Sequence, residues 1–171
     1  GIVGENEFAE KQKDARIVKR LGFSKCRLSL AIPKEQEYPG VGWFEGTVIA
    51  TSYPRILTEY LTSTKIQAHI HVITGSVEIA PGIGLADAIF DIVSSGSTLI
   101  TNHLKEVETV MKSEAVLIAN NDLSTEKSEI LDEFLFRVEA VQVAEDKKYV
   151  LMNVPTANID RIVEIIPGMR S

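Results

Sequence analysis

The run Ala88-Ile-Phe-Asp-Ile-Val-Ser-Ser-Gly-Ser-Thr-Leu99 limits the folds open to this chain more than any other stretch. Its apolar half, with the single acid Asp91 in the middle, reads as a buried strand. It then breaks into Ser94-Ser95-Gly96-Ser97-Thr98 and resumes as a helix-like segment from Leu99 to Val110. A strand feeding a small-residue turn and a helix start presents free backbone N–H groups to an anion. Ser and Thr hydroxyls add donors, and Gly96 lets a phosphate approach the backbone closely. The structural alternative is a Ser-rich turn that caps a helix.

Around this run the chain alternates between strand and helix patterns. Gly1 to Gly4 reads as a strand end, and Glu5 to Gln12 as a helix or loop of weak periodicity. Lys25 to Pro33 is a strand, with Leu28, Leu30 and Ile32 alternating against Arg27, Ser29 and Ala31. Prolines, glycines and charges mark Pro33 to Gly46 as a surface loop, and Thr47 to Thr51 as a second short strand. Ser52-Tyr53-Pro54 opens a helix to about Thr62, since Pro54 suits the first helical position. Ala68 to Ile73, Ala86 to Val93 and Glu114 to Ala119 read as strands, and Ile79 to Gly84 as a helical piece. Ser124 to Ala144 is a long helix, Tyr149 to Val154 a strand, and Asn158 to Ile166 a short helix ending at Pro167-Gly168.

Strands separated by modest helices indicate an α/β sheet covered on both faces, whose ligands gather at the carboxyl ends of parallel strands. Tyr53, Glu78 and the Ser94–Thr98 turn all follow strand ends, so they can converge in one cleft. Asp87 either shares the face of Ile89 and Asp91 or falls in the preceding turn.

Among 171 residues, 44% are hydrophobic and only 6% aromatic, which suits an aliphatic core. A net charge of -6 argues against nucleic acid or a membrane surface as the main partner, and no apolar run reaches bilayer length. The single cysteine, Cys26, excludes an intrachain disulfide and fits a reducing, cytoplasmic setting. His69 and His71 share one strand face but have no third ligand nearby, which reads as a solvated face rather than a metal site. The opening Gly1, in place of Met, reads as a processed or excised piece.

The segment from Glu78 through Gly84-Leu85-Ala86-Asp87, Ile89 and Asp91 to Ser-Ser-Gly-Ser-Thr-Leu99 closely resembles the signature of the long-form ATP phosphoribosyltransferases of histidine biosynthesis. Gly1-Ile-Val-Gly-Glu-Asn6, Cys26-Arg-Leu-Ser-Leu-Ala31, Ile49-Ala-Thr-Ser-Tyr-Pro54, Gly75-Ser-Val-Glu78 and Asn102-His-Leu-Lys-Glu-Val107 agree with it along nearly the whole chain. The resemblance implies a type II periplasmic-binding-protein-like fold, with a mixed sheet and helices on both faces. It further implies that 1–21 is a remnant of catalytic domain I, 22–120 is the phosphoribosyl-binding domain II, and 121–146 is a long helix returning to domain I. Residues 147–171 would be the first β-α unit of a ferredoxin-like regulatory domain. The N-terminal half of domain I, which contacts ATP, and most of the regulatory domain would be missing.

The reaction so implied joins N1 of ATP to C1 of phosphoribosyl pyrophosphate and expels pyrophosphate with inversion. The enzyme's task is to position two substrates and stabilise a ribosyl-cation-like state. On the resemblance, Ser94, Ser95, Gly96, Ser97 and Thr98 match the loop for the 5-phosphate, and Glu78 and Asp91 match the acids at the ribose hydroxyls. Thr51, Ser52 and Tyr53 are nucleotide-binding candidates, and Tyr53 either stacks on adenine or covers the sheet edge. Mg2+ would arrive with phosphoribosyl pyrophosphate and keep most of its waters. No residue is singled out as a general base, and the full-length protein would be a homodimer or homohexamer. Gly82 departs from the pattern, since many long-form relatives carry a basic residue there. The alternative is a non-catalytic regulatory subunit or a solute-binding module.

Overall fold

Leu28, Leu30 and Ile32 alternate with Ser29 and Ala31 along one strand, and all five are buried. A strand covered on both faces belongs in the middle of a sheet, and this one lies there. The computed structural model describes residues 1–11, 14–145, 147–148 and 150–166, in two units, Gly1–Asp122 and Leu123–Ser171.

In the first unit the elements follow in the order β1 (Ile2–Gly4), α1 (Glu5–Lys11), β2 (Arg16–Arg20), β3 (Cys26–Pro33), β4 (Val48–Thr51), α2 (Pro54–Thr64), β5 (His69–Val72), β6 (Ala88–Val93), α3 (Ser97–Thr101), β7 (Leu104–Ser113) and β8 (Ala115–Ala119). Five strands form a mixed sheet in the order β5-β4-β6-β3-β7. β4 runs parallel to β5 and β6, whereas β3 is antiparallel to β6 and β7. A second sheet, β1-β8-β2, is antiparallel throughout. β8, inside the 22–120 span, therefore pairs with both strands of the 1–21 segment.

Strand parity assigns side chains to the two faces of the larger sheet. Leu28, Leu30, Ile32, Ile49, Ala88 and Phe90 pack with Phe44 and with Ile56, Leu57 and Leu61 of α2 on one face. Ala31, Ala50, Ile89 and Val93 pack on the other with Val77, Ala80, Leu99 and Leu104. Each large aliphatic or aromatic side chain so buried contributes about 1.5–3 kcal/mol. Pro54 is the first residue of α2, and Lys65, at φ 60°, closes it.

Two sequence expectations for the first unit are overturned. The segment from Leu99 to Val110 is not one helix. α3 ends at Thr101, and His103, at φ 56°, turns the chain into the ten-residue strand β7. Val107, Thr109 and Val110 are β-branched and suit that strand. A helix in its place would leave the backbone groups of β3 without their partner on that side. Nor do residues 79–84 form a helix. A single 3-10 turn at Val77–Ile79 is followed by turns through Pro81 and Gly82 to Gly84, at φ 75°. β2 was not anticipated, since Arg16-Ile-Val-Lys-Arg20 carries only two apolar residues.

The second unit contains α4 (Thr125–Glu145) and α5 (Ile159–Ile165). Ser124 Oγ accepts from Lys127 N at 3.4 Å, in the expected capping position. Residues 150–154 are not in a strand, because a strand needs a pairing partner and none is found among the described residues. Tyr149 and Pro167-Gly168 lie outside the described residues. No helix among the described residues is long and apolar enough to cross a membrane.

Candidate functional site

Because β4, β5 and β6 are parallel, their carboxyl ends point the same way, and the chain leaves them at Thr51, Val72 and Val93. Glu78 lies in the 3-10 turn that follows β5, and the Ser94–Thr98 turn follows β6 directly. Asp91 sits on β6 in the same parity as Ile89 and Val93, on the face covered by that turn and α3. Glu78, Asp91, Ser94, Ser95, Gly96 and Thr98 all line one cleft of about 140 Å³.

Asp91 is half-buried, and Oδ1 accepts the amide of Ile92 at 2.8 Å. Burial pushes its carboxyl above the usual aspartate range; the Ile92 amide opposes this and the Glu78 charge adds to it. Two carboxylates facing one small cleft repel each other until a ligand supplies hydroxyl donors or positive charge between them. The turn itself is rich in donors. Ser95 Oγ lies 2.9 Å from Ser97 Oγ, and Gly96 holds φ 82°. The amides of Ser95 and Gly96 find no acceptor among the described residues. Since α3 has only five residues, loop amides and hydroxyls, rather than a long helix dipole, are what an anion would meet.

The three candidates at the end of β4 do not line this cleft. Thr51 is fully buried, and its Oγ1 accepts the amide of Tyr53 at 2.8 Å. Tyr53 is 6% exposed, and its hydroxyl accepts from Asn6 Nδ2 at 3.1 Å and donates to Glu7 at 3.0 Å. Burial, then the bond to Glu7, raises its pKa far above that of a free phenol. Ser52 is half-buried. Asp87 falls in the turn before β6, where Oδ2 accepts Val48 N at 2.8 Å. His69 and His71 are exposed on β5, and among the described residues no three His, Cys, Asp or Glu side chains converge as a metal cage.

Two residues beside the site were not picked out from sequence as site residues. Arg27 on β3 donates to the Ser94 carbonyl at 3.0 Å and forms a two-pronged ion pair with Glu106 on β7. The available signal was the shared parity of Arg27 and Ser29, which puts both on the Asp91 face. Glu106 was hidden by the helical reading of its segment.

A mixed sheet with a cleft beyond the carboxyl ends of its parallel strands places this chain among the α/β proteins. The profile of the ATP phosphoribosyltransferase (HisG) family matches residues 1–140, and the chain belongs to that family. An ATP phosphoribosyltransferase from Phocaeicola vulgatus is 69% identical over all 171 residues. The chain spans 60% of the length of that relative and of the other curated relatives it matches first. Among solved structures, the ATP phosphoribosyl transferase HisG:HisZ complex from Thermotoga maritima matches at TM-score 0.71 and 29% identity, covering 82% of this chain and 68% of that one. A periplasmic sulfonate-binding protein from Methylobacillus flagellatus matches at TM-score 0.59 and 16% identity, over 96% of this chain and 52% of that one, a likeness of fold alone.

Proposed function

We propose that this chain carries the phosphoribosyl half-site of an enzyme that transfers phosphoribosyl from phosphoribosyl pyrophosphate to N1 of ATP, the first step of histidine biosynthesis. The observation that carries this reading is the convergence of Glu78, Asp91, Ser94, Ser95, Gly96 and Thr98 on one cleft, with Ser97 Oγ beside Ser95 Oγ. Ser94, Ser95, Gly96, Ser97 and Thr98 hold the 5-phosphate through hydroxyls and free amides. Asp91 and Glu78 accept hydrogen bonds from the ribose hydroxyls, and their charge stabilises the cation that develops at C1. Inversion at C1 then needs the attacking N1 and the departing pyrophosphate on opposite sides of the ribose, so catalysis is chiefly positioning.

The two carboxylates are hard oxygen donors of the kind magnesium takes, and Mg2+ bound to the pyrophosphate would meet them mainly through its waters. The end of β4 is the part of this chain assigned to the nucleotide. Ser52 offers the surface there, with Thr51 and Tyr53 holding the strand end from behind. Residues 1–21 would belong to catalytic domain I, 22–120 to domain II, 121–146 to the helix returning to domain I, and 147–171 to a regulatory domain. Because the chain spans 60% of its relatives' length, the isolated chain is expected to be inactive. The whole protein would work in the cytoplasm as a homodimer or homohexamer.

Calorimetric titration with phosphoribosyl pyrophosphate and Mg2+ tests the reading. Binding to the full-length protein that weakens at least about tenfold, or 1.4 kcal/mol, in Asp91→Asn is the expected result. A folded full-length protein that ignores phosphoribosyl pyrophosphate would overturn the reading in favour of a non-catalytic regulatory subunit or a solute-binding module.

A further inference from the structure

We propose that Arg27 is a positioning residue that sets the Ser94–Thr98 turn in the shape that receives a phosphate, acting through the Ser94 carbonyl. The inference rests on the reading of that turn as the phosphate loop. Arg27 stands opposite Val93 across the β3–β6 pair, so its side chain starts beside the last residue of β6. One edge of its planar guanidinium, Nε and Nη2, is taken by the Glu106 carboxylate. The remaining nitrogen, Nη1, reaches Ser94 O at 3.0 Å. Glu106 is held in turn by Ser29 Oγ at 2.7 Å and Thr109 Oγ1 at 3.1 Å. The fork is therefore anchored on β3 and β7 and grips the first residue after β6.

This grip has a definite effect on the turn. In a planar trans peptide the C=O and the following N–H point in opposite directions. Holding Ser94 O on Arg27 therefore aims the Ser95 N–H away from Arg27 and fixes its direction. It also keeps a carbonyl oxygen, which would repel a phosphate, engaged on a cation. Arg27 itself does not line the cleft of Glu78 and Asp91, so its influence passes through the turn and not through direct contact with the ligand. Lysine cannot reproduce it, because a point-charge ammonium lacks the rigid fork needed to bind a carboxylate along one edge and a carbonyl on the other.

The test compares Arg27→Lys, Arg27→Gln and Asp91→Asn in the full-length protein, reading the thermal midpoint, the calorimetric Kd for phosphoribosyl pyrophosphate, and KM and kcat for both substrates. Arg27→Lys keeps a cation beside Glu106, so it should fold, with a thermal midpoint only modestly lowered by the loss of the two-pronged pairing. Its Kd and KM for phosphoribosyl pyrophosphate should rise about tenfold, with KM for ATP unchanged. Arg27→Gln should show at least the same loss. An Arg27→Lys protein with wild-type affinity for phosphoribosyl pyrophosphate, beside an Asp91→Asn protein that has lost it, overturns the role of Arg27 alone. If Asp91→Asn also binds normally, the reading of the cleft falls and the role of Arg27 falls with it.

Discussion

Asn6 donates from Nδ2 to the Tyr53 hydroxyl at 3.1 Å, joining the first turn of α1 to the residue that precedes α2. Asn6 also accepts from Ser113 Oγ at 2.8 Å and donates its backbone N–H to the same oxygen at 3.0 Å. A buried side-chain network thus joins α1, the start of α2 and the end of β7. Tyr53→Phe removes the central hydroxyl and leaves the buried Nδ2 of Asn6 without its acceptor. The expected cost is about 1–3 kcal/mol in urea unfolding, the desolvation penalty of a stranded polar group. An unchanged midpoint would mean that water replaces the hydroxyl.

Glu10 caps a helix that is not its own. Its two carboxylate oxygens accept the amides of Arg55 and Ile56, at 2.9 and 3.0 Å, just after Pro54 at the start of α2. Tyr53, in the capping position, makes no side-chain cap bond, so the negative charge for the helix start comes from α1. Glu10→Ala should destabilise the protein by about 1 kcal/mol, and Glu10→Gln by less, since the amide oxygen still accepts one bond. Thermal unfolding of the two variants side by side is the check.

The parts of this structure legible in the sequence are those with one strong local cause. Alternation along Leu28–Ile32 and the apolar run through Phe90 marked two strands. Pro54 marked the start of α2, and the Ser-Gly cluster after Val93 marked a turn. The rule that parallel strands present their carboxyl ends together applies to Glu78 and that turn, which share a cleft. It does not apply to Tyr53, which the same rule placed with them and whose hydroxyl is instead tied to Asn6 and Glu7 of α1. What escaped detection depends on distant partners. β7 mixes Lys105, Glu106, Glu108 and Lys112 with its apolar residues, a pattern a helix face also shows. Only pairing with β3 decides between the two. β2 likewise acquires its strand identity from β8. The fork of Arg27 joins residues 79 positions apart, a relation no local pattern carries.

The Asp91 carboxyl titrates above the ordinary aspartate value because burial and the Glu78 charge both disfavour its ionised form. A raised folded pKa means the folded state holds the proton more tightly than the unfolded state does. This group's contribution to stability therefore increases as pH falls through that value and is unfavourable at neutral pH. Asp91→Asn should accordingly unfold at higher urea than the parent at pH 7. Ligand affinity should move the other way, because only the carboxylate accepts two ribose hydroxyl bonds. Binding of phosphoribosyl pyrophosphate should weaken with acidification sooner than a solvent-exposed aspartate would dictate, and the Asn variant should bind more weakly and fall off less steeply over the same range.

Glu106 has the opposite sign. The Arg27 fork, and to a lesser degree the Ser29 and Thr109 hydroxyls, hold its carboxyl down at about 2, against 4.5 for the free group. A depressed folded pKa contributes stability that is complete above the unfolded value and lost as pH falls from there towards the folded value. The acid limb of the parent's stability curve should therefore steepen below about pH 4.5, where the unfolded chain takes up a proton that the folded chain still refuses. Glu106→Gln removes this group from the titration. The variant should be less stable at pH 7 by about 1–2 kcal/mol, for loss of charged hydrogen bonds. The gap between the two proteins should then close as the pH approaches 2. A gap that stayed constant down to that pH would mean that packing around residue 106, and not its charge, carries the difference.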